Sequence, residues 1–368
     1  TFADIDAAVE VDGDSVVFHL GGGAHWELAF LQILCGGWAS IVDKDFCIAN
    51  GGWDGTEATW MDYNIPDDVG DTVLYNKSSG TAPWKLNLWE PGIQVKVEKN
   101  DDYWGEPAPF DYVITQFVTE WTSRKLALLA GDADLVYVPS TYFGEMDDIE
   151  TQTEDLNVYK DLPSLTIDAF FFNQDVAPES TYIGSGALDG AGIPTDFFTD
   201  LDVRTGFSYA FDFETYIRDG LDGQGYQRGS PVVEGLPFYN PDASMYSLDL
   251  DKAEEHLKAA WEGEVWENGF KFTLLYNSGN IPRKTACEIL AENLYGINPL
   301  FQVSIQPISW PTFLGKIWGT RDMPMFQIGW LPDYPHPDNF LVPFMDSTIG
   351  AFSAFIGYGS PELDAKIQ

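Results

Sequence analysis

Basic residues are scarce. Lysine and arginine together number 19, against 58 aspartates and glutamates, for a formal net charge of −39. A phosphate backbone would be repelled from such a surface except at a local basic patch, so nucleic acid is not the expected partner. An anionic membrane surface is disfavoured on the same ground. Cysteine is scarcer still, with Cys35, Cys47 and Cys287 alone. They form no C-x-x-C pair and their number is odd, which argues against a disulfide framework. A single Cys35–Cys47 bridge stays open, and buried small apolar residues are the simplest role for all three. Long apolar runs are missing too. The longest, residues 28–42, holds Gln32 and two glycines and falls short of the ~20 residues a membrane helix needs. No signal peptide or lipid-anchor cysteine is seen. Nor does the chain contain H-E-x-x-H, the P-loop pattern or G-x-S-x-G, so no familiar catalytic motif points to an enzyme.

Apolar and aromatic residues, by contrast, are plentiful. Hydrophobic residues make up 45% of the 368 and aromatics 15%, including 13 tryptophans. An acidic disordered tail would lack them, so the chain can bury sizeable cores. The length suits two or three domains. The acidity reads first as a solvated shell that keeps the protein soluble, in salt if need be, and second as a field for cationic ligands. The chain begins at Thr1, and residues 361–368 read as a helix start that is cut off. The expectation is a piece of a longer protein.

Periodicity then gives the elements. Val9 and Val11, followed by Val16, Phe18 and Leu20, alternate about Asp12-Gly13-Asp14, a hairpin signal. Residues 26–42 read as helical, and 49–78, rich in Gly, Asp, Asn and Pro, as a long loop with short helices. A second hairpin turns at Glu90-Pro91-Gly92, a further strand covers 112–117, and a helix over 122–130 is capped by Thr122 and stopped by Gly131. Residues 135–138 read as a strand. Beyond residue 166, strands at 167–172, 270–276, 301–308 and 325–328 alternate with helices at 202–211, 213–220, 249–260, 283–295 and 311–318. Strand–helix–strand spacing of this kind predicts an α/β fold with parallel strands.

Four segments resemble the family 5 extracellular solute-binding proteins of ABC importers, the peptide and nickel group. One is Gly80-Thr81-Ala82-Pro83-Trp84, with Glu98-Lys99-Asn100-Asp101-Asp102-Tyr103-Trp104-Gly105 after it. Another is residues 122–129 with Gly131-Asp132-Ala133-Asp134-Leu135. The third is Asp202-Val203-Arg204 through Tyr209-Ala210-Phe211-Asp212, and the fourth is Gly329-Trp330-Leu331-Pro332-Asp333-Tyr334 with Pro337-Asp338-Asn339-Phe340. Their order and spacing hold over nearly the whole chain. Gly206 stands where the family usually has alanine, which should weaken its helix by up to about 1 kcal/mol. Ala82 replaces a glycine.

The resemblance implies a two-lobed fold of the periplasmic-binding-protein type II kind, α/β with mixed sheets, a small extra domain and a hinge between lobes. On that mapping residues 1–79 end the small domain and 80–164 belong to the first large lobe. Residues 165–330 make the second lobe, and 331–368 return after the second hinge crossing. The crossings are expected near 164–172 and 326–330. The implied role is extracytoplasmic capture of a small molecule and its delivery to ABC permease subunits, by a protein acting as a monomer, lipid-anchored at full length, without cofactor and without catalysis.

The residue assignments follow. In peptide-binding members the aspartate of a Trp-x-x-Asp-Tyr segment holds the ligand's α-amino group, and Asp333 matches it. A carboxylate facing an ammonium in a closing cleft makes a charge-assisted bond. A turn-capping Asp333 is the other role open to it. Trp330 and Tyr334 would wall the cleft, and Arg321 would meet a ligand carboxylate, with Lys316 and Arg283 as further cations. Trp104 reads as a structural residue, with Gly105 at positive φ beside it. Arg204 reads as pairing with a nearby aspartate to fix a helix start. His19, His25, His256 and His336 are scattered, and His336-Pro337-Asp338 is too short to make a metal site. Oligopeptide or dipeptide is the first ligand class, oligosaccharide the second and nickel chelate the third. A hydrolase is the competing reading.

Overall fold

The computed structural model describes residues 1–20, 27–63, 72 and 74–367, so His25 and part of the 49–78 loop lie outside the described residues. The chain divides into two compact units, Thr1–Val138 and Pro139–Gln368.

In the first unit a short helix α1 (Phe2–Ala8) is closed by a capping box between Thr1 and Asp4. The hairpin β1 (Val9–Asp12) and β2 (Ser15–Phe18) follows, with Asp12 opposite Ser15 and Gly13 at φ +59°. The two-residue turn demands that left-handed glycine. Helices α2 (Glu27–Leu34) and α3 (Lys44–Ala49) come next, α3 capped by Asp43. A three-stranded antiparallel sheet is ordered β3 (Trp84–Glu90), β4 (Gln94–Lys99), β5 (Tyr112–Gln116). Helix α4 (Trp121–Ala130) ends on Gly131 in the left-handed region, as its sequence requires.

Four expectations in this unit need correction. Thr122 is no cap: α4 starts a residue earlier, because Trp121 is buried and Arg124 fastens the entry by donating to the carbonyls of Val118 and Thr119. Residues 135–138 form no strand, since no described strand takes up their backbone groups, and Leu135 and Tyr137 are exposed. Gly105 does not sit at positive φ, and Trp104 is 82% exposed. The glycine is needed for space, because a β-carbon would meet the Tyr103 ring at 2.7 Å. Cys35 and Cys47 are not bridged; Cys35 is exposed, Cys47 is partly exposed, and Cys287 alone is buried.

The second unit opens with α5 (Phe143–Glu150) and β6 (Ile167–Phe172). Helix α6 (Leu201–Ala210) is capped by Asp200, whose carboxylate also takes the Trp261 N–H. Arg204 fixes that helix start by donating to the carbonyls of Phe198, Thr199 and Asp200, not to an aspartate carboxylate as expected, because the Asp200 carboxylate already holds backbone N–H groups. Helix α7 (Phe213–Thr215) runs into a π-helical turn at Tyr216–Gly220. Then come α8 (Leu250–Ala259), capped by Asp249, and α9 (Glu264–Asn268). The order continues β7 (Phe270–Asn277), α10 (Ile281–Ile297), β8 (Phe301–Ile308), α11 (Trp310–Gly315), β9 (Met325–Trp330), α12 (Asp338–Met345) and α13 (Pro361–Ile367).

These strands make a mixed sheet in the order β6-β9-β7-β8. β7 runs parallel to β8 and β9, and β6 runs antiparallel to β9. One face carries Phe170, Phe172, Phe270, Phe272 and Leu274 against α6, α8 and α10. The other carries Phe171, Leu275, Phe326 and Ile328 against Phe313 and Phe352, with Phe171 and Phe352 stacked at 4.6 Å. A sheet apolar on both faces is what βαβ crossovers produce, and it accounts for the nearly continuous apolar runs of these strands. Close packing reaches Gly206, where a β-carbon would sit 2.7 Å from Leu257 of α8.

Candidate functional site

Three parallel strands end on one side of the sheet, and the antiparallel β6 begins there. Asn277 closes β7, Ile308 closes β8, Trp330 closes β9, and Ile167 and Asp168 open β6 opposite Trp330 and Gly329. In α/β sheets ligands gather at such carboxyl ends.

The loop after β9 holds Asp333, and one buried side chain organises it. Asn339, near the start of α12, accepts the Asp333 N–H through Oδ1 at 2.9 Å and donates from Nδ2 to Asp333 Oδ2 at 3.4 Å. Its backbone carbonyl takes the Trp330 indole N–H at 2.7 Å. Asn339 is 8% exposed, while Asp333 is exposed. The loop is thus pinned from beneath, with Oδ1 of Asp333 turned to no hydrogen-bond donor among the described residues. Tyr334 donates to Asp338 Oδ2 at 2.9 Å, and His336 Nδ1 meets Asp338 Oδ1. Burial, followed by the charges of Asp338 and Asp333, raises the Tyr334 pKa above the ordinary tyrosine value. The Trp330 ring sets its edges on Phe344 and Phe352 at 6.3 and 5.7 Å, so it is half-built into the core.

A second polar group lies alongside. Arg283, in the first turn of α10, donates from Nε and Nη2 to Asp168 Oδ1 at 3.2 and 3.1 Å and from Nη1 to Asn277 Oδ1 at 2.8 Å. Its guanidinium lies 5.9 Å from the Trp310 ring centre. Burial raises the Asp168 carboxyl above the usual aspartate value, and Arg283 opposes that shift. Beneath them the Tyr216 hydroxyl is pushed up to about 12, by burial first and the Asp168 charge second. Gln327 is 3% exposed, and its buried Oε1 has no hydrogen-bond partner among the described residues.

Asp333, Trp330 and Tyr334 therefore stand together, as the sequence pattern implied. Arg321 does not join them. It precedes the amino end of β9, donates to Asp175 and the Ala354 carbonyl, and adopts φ +52°. An extended strand advances about 3.3 Å per residue, so the six residues of β9 span roughly 16 Å between the end that follows Arg321 and the end that precedes Asp333. Lys316 lies at that same far end, paired with Asp322 at 2.6 Å. Sequence reasoning missed Asp168 and Asn339. The available signal for Asp168 was a lone carboxylate in the apolar run Ile167–Phe172. Among the described residues no group of three or more His, Cys, Asp or Glu is placed to hold a metal ion.

The model of the bacterial extracellular solute-binding proteins, family 5, matches residues 1–352. This chain belongs to that family. Its members are extracytoplasmic solute-binding components of transporters rather than enzymes. The oligopeptide-binding protein AppA of Bacillus subtilis is 26% identical over 307 residues, covering 79% of this chain and 51% of that protein. The probable D,D-dipeptide-binding periplasmic protein DdpA of Escherichia coli is 24% identical over 298 residues, covering 80% and 51%. The chain thus spans about half the length of these relatives. The dipeptide-binding protein of Pseudoalteromonas sp. SM9913, solved with Met-Leu, superimposes with a TM-score of 0.70 at 21% identity, covering 100% of this chain and 64% of that one. The fold is therefore the mixed α/β fold of the periplasmic binding proteins. No helix among the described residues is long and apolar enough to cross a membrane.

Proposed function

We propose that this chain belongs to the binding component of an ABC importer and captures a short peptide through its α-amino group. The observation that carries this reading is Asp333: an exposed carboxylate at the carboxyl end of β9, oriented by buried Asn339, with Oδ1 open. An ammonium meeting it in a closed, water-poor cleft gains a charge-assisted hydrogen bond. No chemistry on the ligand is required. Closure around it shifts the population of closed protein by the difference in affinity between the two states. Micromolar affinity corresponds to about −8 kcal/mol net. We place residues 165–330 in the lobe that carries the site. The packed ring and bound N–H of Trp330 leave a poor stacking platform, which favours an amine over a sugar.

The test is tryptophan fluorescence and thermal melting of the complete protein against peptides of two to ten residues and against oligosaccharides. Specific binding at a hundredfold excess over Kd stabilises by about 2.7 kcal/mol. A peptide-dependent shift that vanishes in Asp333→Ala supports the reading. A shift with sugars alone overturns the peptide assignment and keeps the transport role.

A further inference from the structure

In the Arg283–Asp168 pair the acid is the exposed partner and the base the enclosed one. The Asp168 side chain keeps 37% of its surface, and the Arg283 side chain keeps 11%. The guanidinium is held from Nε, Nη2 and Nη1 by Asp168 and Asn277 and is covered by Trp310. The amino end of α10 is closed as well, because the Asn280 side chain takes the Arg283 N–H. Gln327 shares the strand face of Gly329 and Asp168, and its buried Oε1 has no hydrogen-bond partner among the described residues. At this end of the sheet stand the Asp168–Arg283 pair and the Asp333 loop, where His336 lies against Asp338.

We infer that this end of the cleft takes a group that donates hydrogen bonds, an amide or a second ammonium, and discriminates against a free α-carboxylate. This rests on the amine-capture reading above and names the ligand class within it. A ligand carboxylate arriving here meets Asp168 first, and two carboxylates without an intervening donor repel. To reach Arg283 it would have to displace Asp168 from a paired, largely enclosed guanidinium and leave that acid uncompensated. An amide N–H or an ammonium instead finds Asp168 already oriented. The preferred ligands are accordingly short peptides whose carboxyl terminus is amidated.

Isothermal titration of the complete protein decides it, with di-, tri- and tetra-alanine offered both as free acids and as C-terminal amides. The expected result is that, at the length bound tightest, the amide binds at least about tenfold more tightly than the acid, a difference of about 1.4 kcal/mol. Asp168→Asn, nearly isosteric, should bring the ratio below about threefold by relaxing the penalty on the acid, and a thermal melt without ligand verifies its folding. An acid bound as tightly as its amide by the native protein overturns the inference. So does a ratio that Asp168→Asn leaves unchanged in a folded protein. Failure of both forms at every length overturns this inference and, where peptides of up to ten residues fail as well, the amine reading with it, whereas equal binding of the two overturns only this one.

Discussion

Asp168 lies across the β6–β9 pair from Gly329, and a β-carbon on that glycine would come within 2.9 Å of Asp168 Oδ1. Arg283 Nη2 would be 3.1 Å away and the Ile167 carbonyl 3.0 Å. The glycine is therefore the gap through which an arginine on α10 reaches an acid on the far side of β9. Gly329→Ala should break this bridge. Leaving a half-buried ion pair misaligned costs about 1–3 kcal/mol, read as a lower melting temperature of the unliganded protein. An unchanged melting curve would show that the pair relocates freely.

Asn339 links Trp330 and Asp333 with one amide. Asn339→Ala removes the acceptor of the Asp333 N–H and the donor to its carboxylate, while the backbone carbonyl still receives the Trp330 indole. The expected loss of stability is about 1–2 kcal/mol. Peptide affinity should fall about tenfold or more, because a loosened carboxylate must be ordered at binding. Asp333→Ala, by comparison, should abolish peptide binding and barely move the unliganded melting temperature, since that side chain is exposed. Equal affinity in Asn339→Ala and the native protein would remove Asn339 from the binding machinery.

Buried ionisable groups make stability pH-dependent on the alkaline side. Burial pushes the Cys287 thiol up to about 12 and the Tyr216 hydroxyl to about 12. In the unfolded chain these groups lose their protons near their ordinary values of 9.0 and 10.0. Over the interval up to about 12 the native state holds more protons, so raising pH favours unfolding. Each group contributes a slope of about 1.4 kcal/mol per pH unit within its window. Denaturant melts between pH 8 and 11 should show falling stability, and Cys287→Ala should flatten the part that begins near pH 9. At pH 8 a thiol reagent should label exposed Cys35 quickly and Cys287 only on unfolding.

Gly206 tests packing against propensity. Alanine would favour the helix by about 1 kcal/mol. Its β-carbon, however, would meet Leu257 Cγ at 2.7 Å and the Ala253 carbonyl at 3.3 Å. Leu257 is fully buried, and overpacking of this kind costs about 1–3 kcal/mol. Gly206→Ala should therefore be destabilising, the reverse of what helix propensity alone expects. A raised melting temperature would show that Leu257 yields.

The parts of this molecule legible in the sequence were those written locally. Apolar alternation located β7, β8 and β9, and Gly131 ended a helix. Asp333, Trp330 and Tyr334 form one short loop, and their neighbourhood in sequence is also their neighbourhood in space. Arg321 shows the limit of that equation, because a fully extended strand carries residues close in sequence to opposite ends of a sheet. The Arg283–Asp168 pair shows the converse, joining positions far apart because the strand order sets β6 beside β9. Cap assignments failed where a buried aromatic, Trp121, set the helix start instead. Glycine motifs were visible, yet the reasons for them were steric, as Tyr103 against Gly105 and Leu257 against Gly206 show.

The strand order also dictates a history. β7 and β8 are joined through α10 and form the most local of the parallel pairings. Ile167 must wait for Trp330, about 160 residues further along, before β6 finds its ladder. β9 sits between β6 and β7 yet is the last of the four to be synthesised. The sheet is therefore completed like a zip fastened from the middle, with the edges of β6 and β7 unpaired until that final strand is in place. The same insertion that completes the sheet brings Gly329 under Arg283 and sets the Asp333 loop in place.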